Sequence, residues 1–134
     1  MARRILVTGS RDWDDDERIR QALIEHGHRN DVLVQGGASG ADSIAARYWS
    51  LFGEVETWRA DWRGACGESC PPGHRKTQAG GWSYCPRAGL VRNHAMVMSQ
   101  PDLCLAFIKN NSRGATHCAN LAEGAGIETT RFYI

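Results

Sequence analysis

Short apolar runs alternate along the chain with longer segments whose apolar residues recur at helical spacing. The runs "ILV", "VLV", "EVETW", "DLCLAFI" and "IETTRFYI" predict strands. Residues 14–26, residues 41–53, a segment around 91–98 and "THCANLAEGAG" predict the intervening helices. Because strands that alternate with helices form parallel sheets, we predict an α/β fold. The simplest topology is Rossmann-like, with a mostly parallel sheet of about five strands and helices on both faces.

The same pattern predicts which helical residues face the core. The apolar face of the second predicted helix consists of Ile44, Ala45, Tyr48, Leu51 and Phe52. Gly53 is expected to end that helix, since glycine is common just after a helix. In the third predicted helix, Val91, Ala95 and Met98 follow helical spacing. We interpret Met96 and Met98 as core residues.

The composition is typical of a soluble globular chain. The 134 residues are 42% hydrophobic and 23% charged, so residues 1–134 are expected to form a single domain with one core. The net charge of +1 carries no electrostatic signature of nucleic-acid binding, and no nucleic-acid partner is expected. The apolar run after Arg3 and Arg4 is too short for a signal peptide or a membrane span. We therefore expect a cytoplasmic protein with no membrane partner, in which the five cysteines are thiols or metal ligands.

Three polar turns follow predicted strands or enter the last helix, and they should meet at the carboxyl edge of the sheet. They are Gly9-Ser10-Arg11-Asp12, Gly36-Gly37-Ala38-Ser39-Gly40-Ala41-Asp42 and Ser112-Arg113-Gly114-Ala115-Thr116. Glycines allow an anion to approach the backbone, and the following helices direct free N–H groups toward it. Neither the dinucleotide fingerprint nor the P-loop is matched. The three turns together predict a phosphate-bearing ligand.

Several charged residues near predicted helix starts have two interpretations each. The acidic run at residues 14–17 is interpreted as helix capping, with a metal site as the alternative. Asp42 either caps its own helix or accepts hydrogen bonds from ribose hydroxyls. Arg92 and Asn93, at the start of the third helix, either grip a phosphate or a ribose or are ordinary helix residues.

Residues 64–86 form a loop-like stretch rich in glycine and proline, and it contains Cys66, Cys70, His74 and Cys85. A stretch of this length without regular structure needs something to order it. Three thiolates and an imidazole fit a closed, tetrahedral and therefore structural Zn²⁺ site. His74 is the ligand that a water or another side chain could replace. The alternatives are a flexible loop with free thiols and a redox-active Cys66/Cys70 pair.

The position of this loop suggests a purpose for it. It leaves the same sheet edge at which the polar turns should meet, so we expect a zinc-pinned flap beside the ligand site. Trp82 and Tyr84 are expected to pack beside the metal, and Arg75 and Lys76 to be available to a phosphate or a partner. The two remaining cysteines, Cys104 in a strand and Cys118 in a helix, are expected to be buried.

A resemblance adds to these inferences. The segments "ILVTGSRDW", "VLVQGGASGADSIAARY", "ADW", "AGLVRNHAMV", "DLCLAF" and "GATHCANLAEGAGI" follow one another as in the YspA-type, YpsA-related branch of the SLOG superfamily. Members occur in bacteria and their phages, so the resemblance implies a bacterial or phage-encoded protein. It also implies a Rossmann-like fold that binds a nucleotide or nucleotide-derived small molecule. By position it points to Gly9, Ser10, Arg11, Gly36, Gly37, Gly40, Asp42, Arg92, Asn93, Gly114 and Thr116.

The branch is distantly similar to the cytokinin-activating phosphoribohydrolases, and the chain departs from them at one point. Their P-G-G-x-G-T-x-x-E signature contains a glutamate that takes part in N-glycosidic bond cleavage, whereas no acid lies three residues after Thr116. A hydrolase would therefore need Asp42 or Glu123 as its carboxylate, with Arg92 as a further catalytic candidate. Binding or sensing of the ligand is the leading expectation. The alternatives are a nucleotide N-glycosidase, a DNA-associated protein and a zinc-organised adaptor, and a homodimer is expected.

Overall fold

The described residues, 3–67 and 70–134 of a computed structural model, form a five-stranded parallel sheet, a two-stranded antiparallel sheet and four helices. In chain order the elements are β1 (Arg4–Gly9), α1 (Asp16–His26), β2 (Val32–Gln35), α2 (Ala41–Trp49), β3 (Val55–Thr57), β4 (Lys76–Thr77), β5 (Ser83–Tyr84), α3 (Ala88–Met98), β6 (Leu103–Ile108), α4 (Arg113–Gly124) and β7 (Glu128–Tyr133). The large sheet has the order β3-β2-β1-β6-β7 with every pair parallel. The predicted Rossmann-like α/β fold is confirmed.

The core lies on both faces of this sheet. Ile5 and Val7 of β1 pack with residues of α1 and α2, whereas Leu6 packs with residues of α3 and α4 on the opposite face. This alternation follows from the two-residue period of a strand. Every residue of β6 is buried, as expected for a strand covered on both sides. Cys104 and Cys118 lie in the core on the α3/α4 side, as predicted.

The predicted core face of α2 is partly wrong. The helix ends at Trp49 rather than Gly53, and Leu51 and Phe52 beyond it are 75% and 50% exposed. Trp49 takes the buried place instead, and its indole Nε1 donates to the carbonyl oxygen of Asp31 at 2.9 Å. The helix therefore stops one turn earlier than the apolar pattern indicates.

The third predicted helix is confirmed as α3, but the predicted burial of Met98 on it is wrong. Val91 and Met98 are 58% and 52% exposed, whereas Asn93, Met96 and Val97 are buried. The buried side follows the i, i+3, i+4 spacing from Asn93, so a polar residue occupies a core-facing position. Of the two methionines predicted for the core, only Met96 lies there.

The interpretation of the acidic run as a helix cap is confirmed. Asp15 is the N-cap of α1, and its carboxylate accepts a hydrogen bond from the backbone N–H of Arg18 at 3.1 Å. Asp16 and Glu17 occupy the first turn, where they stabilise the positive end of the helix dipole.

The sheet order determines where a ligand can bind. The chain runs outward from β1 through β2 to β3, and then returns to the other side of β1 through β6. In open parallel sheets this reversal leaves a crevice at the carboxyl ends of the central strands. The stretch predicted to lack regular structure, residues 64–86, lies between β3 and α3 and contains the β4–β5 hairpin. Its residues 68–69 lie outside the described residues. No helix in the described part of the chain is long and apolar enough to cross a membrane.

Candidate ligand site and metal cluster

A cavity of about 380 Å³, here called the inner cavity, lies in the crevice at the carboxyl ends of β1 and β6. The predicted ligand-binding residues that line it are Gly9, Arg11, Ala38, Asp42, Arg92, Asn93 and Gly114. An adjacent cavity of about 460 Å³, here called the outer cavity, is lined by Gly36 and Gly37 and shares Arg11, Ala38 and Arg92 with the inner one. The structure thus brings the three polar turns together around two adjoining cavities.

Three predicted site residues line neither cavity in the described structure. They are Ser10, Gly40 and Thr116. The Ser10 hydroxyl accepts from the backbone N–H of Lys109 at 2.7 Å and donates to its carbonyl oxygen at 3.3 Å. Ser10 therefore joins the ends of β1 and β6, and its hydroxyl hydrogen is already engaged.

The conformation of the second turn requires glycine at position 40. Gly40 has φ +73°, and a Cβ placed there would lie 2.4 Å from the carbonyl oxygens of both Ser10 and Arg11. The turn therefore packs directly against the first polar turn. By contrast, a Cβ at Gly114 would meet nothing within 4 Å, so that glycine is not needed for packing in the described structure.

Asp42 holds the second turn in place. One carboxylate oxygen, Oδ2, accepts from the backbone N–H groups of Gly36 at 3.1 Å and Ala38 at 3.3 Å. These bonds go to the turn that precedes α2, and the N-cap of α2 is Gly40, without a side-chain cap. The capping interpretation of Asp42 is therefore corrected, because its carboxylate binds the turn rather than the first turn of its own helix.

The other carboxylate oxygen of Asp42 is unusual. Oδ1 is buried and has no hydrogen-bond partner among the described residues, although Asp42 lines the inner cavity. Burial raises the pKa of Asp42 from its ordinary 3.8 to about 6, against the opposing effects of the Ala38 and Gly36 amides and the nearby guanidinium groups. A buried carboxylate oxygen without a partner is costly for the protein alone, and a ligand hydroxyl could satisfy it.

Arg92 links α3 to the same turn. Its Nη1 donates to the carbonyl oxygen of Gly36 at 2.6 Å and to that of Trp58 at 3.3 Å, and its Nε donates to Oδ1 of Asn93 at 2.9 Å. Burial lowers the pKa of Arg92, and the negative charge of Asp42 partly offsets this effect. Arg92 therefore braces the glycine turn.

Arg11 supplies a second positive charge to the crevice. Its side chain is exposed, and its guanidinium lies over the indole ring of Trp62 at 5.4 Å from the ring centroid. The carboxylate of Glu123, in contrast, pairs with Arg131 at 2.6 Å near the end of α4 and lines neither cavity described here. Of the two carboxylates predicted as alternatives for catalysis, the structure brings only Asp42 to the crevice.

The four predicted metal ligands come together in space. The ligand atoms of Cys66, Cys70, His74 and Cys85 all lie within 4.8 Å of one another. Three of the distances between these atoms are 3.0 Å from Cys66 Sγ to His74 Nε2, 3.3 Å from Cys85 Sγ to His74 Nε2, and 3.7 Å from Cys70 Sγ to Cys85 Sγ. A tetrahedral site with ordinary zinc bond lengths has edges of about 3.6 Å between S and N and about 3.8 Å between two sulfurs. The sulfur–sulfur distance matches this geometry and the two sulfur–nitrogen distances are shorter than it, so the cluster could hold a metal ion if His74 lay slightly farther from the two sulfurs.

Local structure explains how residues so close in sequence surround one point. The Pro71-Pro72-Gly73-His74 segment closes with a bond from the His74 N–H to the Pro71 carbonyl oxygen at 3.4 Å, and Gly73 has φ +72°. Proline followed by glycine with positive φ is typical of a type II turn. The turn reverses the chain between Cys70 and His74, which brings both ligands to the same side.

Arg75 has a different role from the predicted one. Its Nη1 donates to the carbonyl oxygen of Gly64 at 2.7 Å and lies 3.5 Å from Cys66 Sγ, and its Nε donates to Ser83 Oγ at 3.1 Å. It thus ties the start of the loop to β5 and contacts one of the four clustered residues. Lys76 is exposed, as predicted for a residue available to a partner.

The aromatic wall of the outer cavity was missed by the sequence interpretation. Trp62, Trp82 and Tyr84 line this cavity together with Arg59 and Gln78. Trp82 and Tyr84 were expected only to pack beside the metal. The available signal was the presence of three aromatic residues in and next to a loop with few other apolar residues.

Comparison with known proteins agrees with this description. Residues 3–64 match the model of the YspA, cpYpsA-related SLOG family. The chain is also 38% identical over 139 residues to the Gene 61 protein of Mycobacterium phage D29, with 97% of this chain and 96% of the relative aligned. The matched family segment contains the first two polar turns and Asp42. The alignment with the phage protein covers nearly the whole chain, including the region of the Cys/His cluster. This chain therefore belongs to the YspA, cpYpsA-related SLOG family.

Proposed function

We propose that the protein binds a nucleotide or nucleotide-derived ligand in the crevice, with its ribose and phosphate in the inner cavity. The observation that carries this proposal is Oδ1 of Asp42, a buried acceptor without a partner in the described structure, on a residue that lines the cavity. A sugar hydroxyl is the donor that such a carboxylate takes in nucleotide sites. The ligand therefore needs a hydroxyl-bearing part at Asp42.

Positive groups in the same cavity favour a phosphate next to that sugar. Arg11 and Arg92 both line it, and Ser112, Gly114 and Ala115 bring the N-terminus of α4 to its wall. A helix N-terminus and a guanidinium group are both favourable partners for a phosphate. The combination of one carboxylate with these groups fits a phosphorylated sugar better than an uncharged ligand.

We also propose that the metal is a structural Zn²⁺. The four ligands are three sulfurs and one imidazole nitrogen, which is a closed set for tetrahedral zinc and leaves no position for a substrate. The zinc would hold the loop beside the crevice, because the loop contributes Gln78, Trp82 and Tyr84 to the outer cavity. In this proposal the metal organises the ligand site without contacting the ligand.

The test is isothermal titration of AMP and of ribose 5-phosphate into the wild-type protein and into Asp42→Asn between pH 5 and pH 8. Because the pKa of Asp42 is about 6, its carboxyl group is mostly protonated at pH 5 and mostly ionised at pH 7. A hydrogen bond to a charged acceptor contributes about 1.5–3 kcal/mol, so Asp42→Asn should weaken binding by about 10-fold or more at pH 7.5. Wild-type affinity should rise more steeply through pH 6 than that of the variant, in which only the second ionisation of the ligand phosphate, near pH 6, contributes to the rise.

The matched control is Glu123→Gln, which neutralises a carboxylate that lies outside both cavities. Its surface ion pair contributes at most about 1 kcal/mol, so ligand affinity should stay unchanged. The melting temperature of Asp42→Asn tests separately whether the variant folds. The raised pKa means that ionisation of Asp42 lowers stability as the pH rises from about 4 to above 6, and the variant should therefore melt higher than wild type at pH 8. Equal affinity of wild type and Asp42→Asn for both probes would contradict the proposal, and free base in the mixtures would identify N-glycosidic hydrolysis.

A further inference from the structure

The outer cavity has a composition that the ribose and phosphate do not explain. It lies between the Gly36–Ser39 turn, the segment after β3 that contains Arg59 and Trp62, and the β4–β5 hairpin of the Cys/His loop. Three of its lining residues are large aromatic side chains, whereas the inner cavity shares only Trp62 with them. The outer cavity therefore adds flat aromatic surface beside the inner one.

The aromatic residues form one connected wall. The ring centroids of Trp62 and Tyr84 are 6.2 Å apart in an edge arrangement, and those of Trp82 and Tyr84 are 5.8 Å apart. The guanidinium of Arg63 stacks on Trp82 at 4.2 Å from the ring centroid, yet Arg63 does not line the cavity. Trp82 is thus fixed on one side by Arg63 while it remains part of the cavity wall.

Two backbone hydrogen bonds position the aromatic wall. The N–H of Cys85 donates to the carbonyl oxygen of Trp62 at 2.8 Å, which joins the end of the hairpin to the segment after β3. Across the hairpin, the N–H of Gln78 donates to the carbonyl oxygen of Trp82, also at 2.8 Å. Since Cys85 is itself a predicted metal ligand, the positions of Trp62 and Tyr84 are coupled to the metal cluster.

The two cavities are parts of one crevice. Arg11, Ala38, Trp62 and Arg92 line both of them. A molecule whose sugar lies at Asp42 is therefore next to the outer cavity, and a planar group attached to that sugar would have to extend past Trp62 to enter it. The part that enters should be planar and apolar on its faces, with polar groups at its edges for Gln78 and Arg59.

We propose that the outer cavity is a nucleobase subsite, built by the Cys/His loop and filled by the base of the nucleotide whose sugar phosphate occupies the inner cavity. This inference rests on the proposed function, because the base reaches the wall only if the sugar binds at Asp42. A base has two flat π-faces for Trp82 and Trp62 and polar edges for Gln78, which is the combination that aromatic platforms in nucleotide-binding proteins recognise. The Cys/His loop is then a specificity element.

The experiment compares AMP with ribose 5-phosphate, which lacks the base, on wild type, Trp82→Ala and Trp82→Phe. Stacking of one base on an aromatic side chain contributes about 1–3 kcal/mol, so Trp82→Ala should weaken AMP binding by about 10-fold or more. Ribose 5-phosphate should bind the variant and the wild type equally. Trp82→Phe keeps a ring and should retain AMP affinity within about threefold, and AMP should quench wild-type tryptophan fluorescence more strongly than that of Trp82→Phe.

Phe52→Ala is the matched control, since it removes an exposed aromatic ring that lines neither cavity. It should leave the affinity for both probes unchanged. Equal affinity of wild type for AMP and ribose 5-phosphate would overturn the nucleobase subsite while the proposed function stands. Failure of wild type to bind either probe would overturn both. Loss of ribose 5-phosphate binding in Trp82→Ala would also overturn the subsite, because Trp82 would then support the whole crevice.

Discussion

The parallel sheet and the Cys/His loop, residues 64–86, are ordered by different interactions. In the sheet, each residue of β6 is buried between helices, and the strand pairs with neighbours on both sides. In the loop, residues 71–73 and 76–81 are exposed, and the contacts that hold it come from the Cys/His cluster, from Arg75, from backbone hydrogen bonds and from the rings of Trp82 and Tyr84. The first region is stabilised by burial of apolar surface, and the second by local polar and aromatic contacts around a cluster that could hold a metal ion.

This difference indicates which region of the chain could change the specificity of the proposed ligand site. The sheet and its turns provide Asp42 and the arginines, whose positions depend on packed elements. The loop provides Trp82 and Tyr84, whose positions depend on a small cluster that is separate from the core. A change in the loop can therefore alter recognition without a cost to the fold, which is the usual division between a scaffold and its binding loops.

The largest expected effect on the free energy of unfolding comes from a substitution in the core of the sheet. Leu105 is fully buried in β6, so Leu105→Ala should lower the free energy of unfolding by about 2–5 kcal/mol. Urea unfolding followed by circular dichroism measures this change. Val91→Ala, on the exposed side of α3, is the control and should leave the midpoint within about 0.5 kcal/mol of wild type. A small effect of Leu105→Ala would mean that the core is not where the sheet's stability resides.

A smaller effect is expected where the sheet meets the ligand site. Gly40→Ala forces a side chain onto a residue with φ +73° and close to two carbonyl oxygens, so it should cost about 1–3 kcal/mol. It should also weaken ribose 5-phosphate binding, because the turn that Asp42 holds must shift. Gly114→Ala is the matched control for stability alone, because Gly114 itself lines the inner cavity. It has open space in a helix and should be neutral or stabilise by up to about 1 kcal/mol. Thermal melts that ranked the two variants equally would contradict this account.

The fold could be predicted from the sequence because the apolar periodicity of the strands coincides with the residues that are buried in the sheet. The apolar strands and the helices on both faces follow from short-range pattern alone. The apolar pattern did not predict the end of α2 or the buried side of α3, because both depend on tertiary contacts. Trp49 replaced Leu51 and Phe52 in the core by bonding to Asp31, and Asn93 took a buried position on α3 through its bond with Arg92.

The site was predicted less completely, for a related reason. Cysteine spacing identifies the metal cluster, since ligand type restricts the chemistry to a few metals. The bond from Asp42 to the preceding turn and the use of Arg75 as a brace involve geometry that one-dimensional spacing does not contain. The aromatic wall needs the hairpin to fold back on Trp62, and its two-residue strands are too short to show a period.

The smallest effect on the sheet is expected from removal of the metal. Cys70→Ser should reduce zinc content from one per chain to none, measured by native mass spectrometry, because three ligands hold zinc less tightly than four. Hydrogen exchange should then rise at residues 76–84 and stay unchanged in β6. The free energy of unfolding of the sheet should change by less than about 1 kcal/mol, since the half-buried Cys70 lies outside its core. AMP binding should weaken while ribose 5-phosphate binding persists.

Cys104→Ser is the reciprocal control, because it makes the same chemical change in the core. Cys104 is fully buried beside Leu6 and Val34, and burial raises the pKa of its thiol. A hydroxyl there should cost about 1–3 kcal/mol of sheet stability while zinc content and exchange in the loop remain as in wild type. If Cys70→Ser instead unfolded the sheet together with the loop, the two regions would be one cooperative unit, and the loop could not vary independently of the scaffold. Opposite responses of the two cysteines would establish that the metal orders the recognition wall alone.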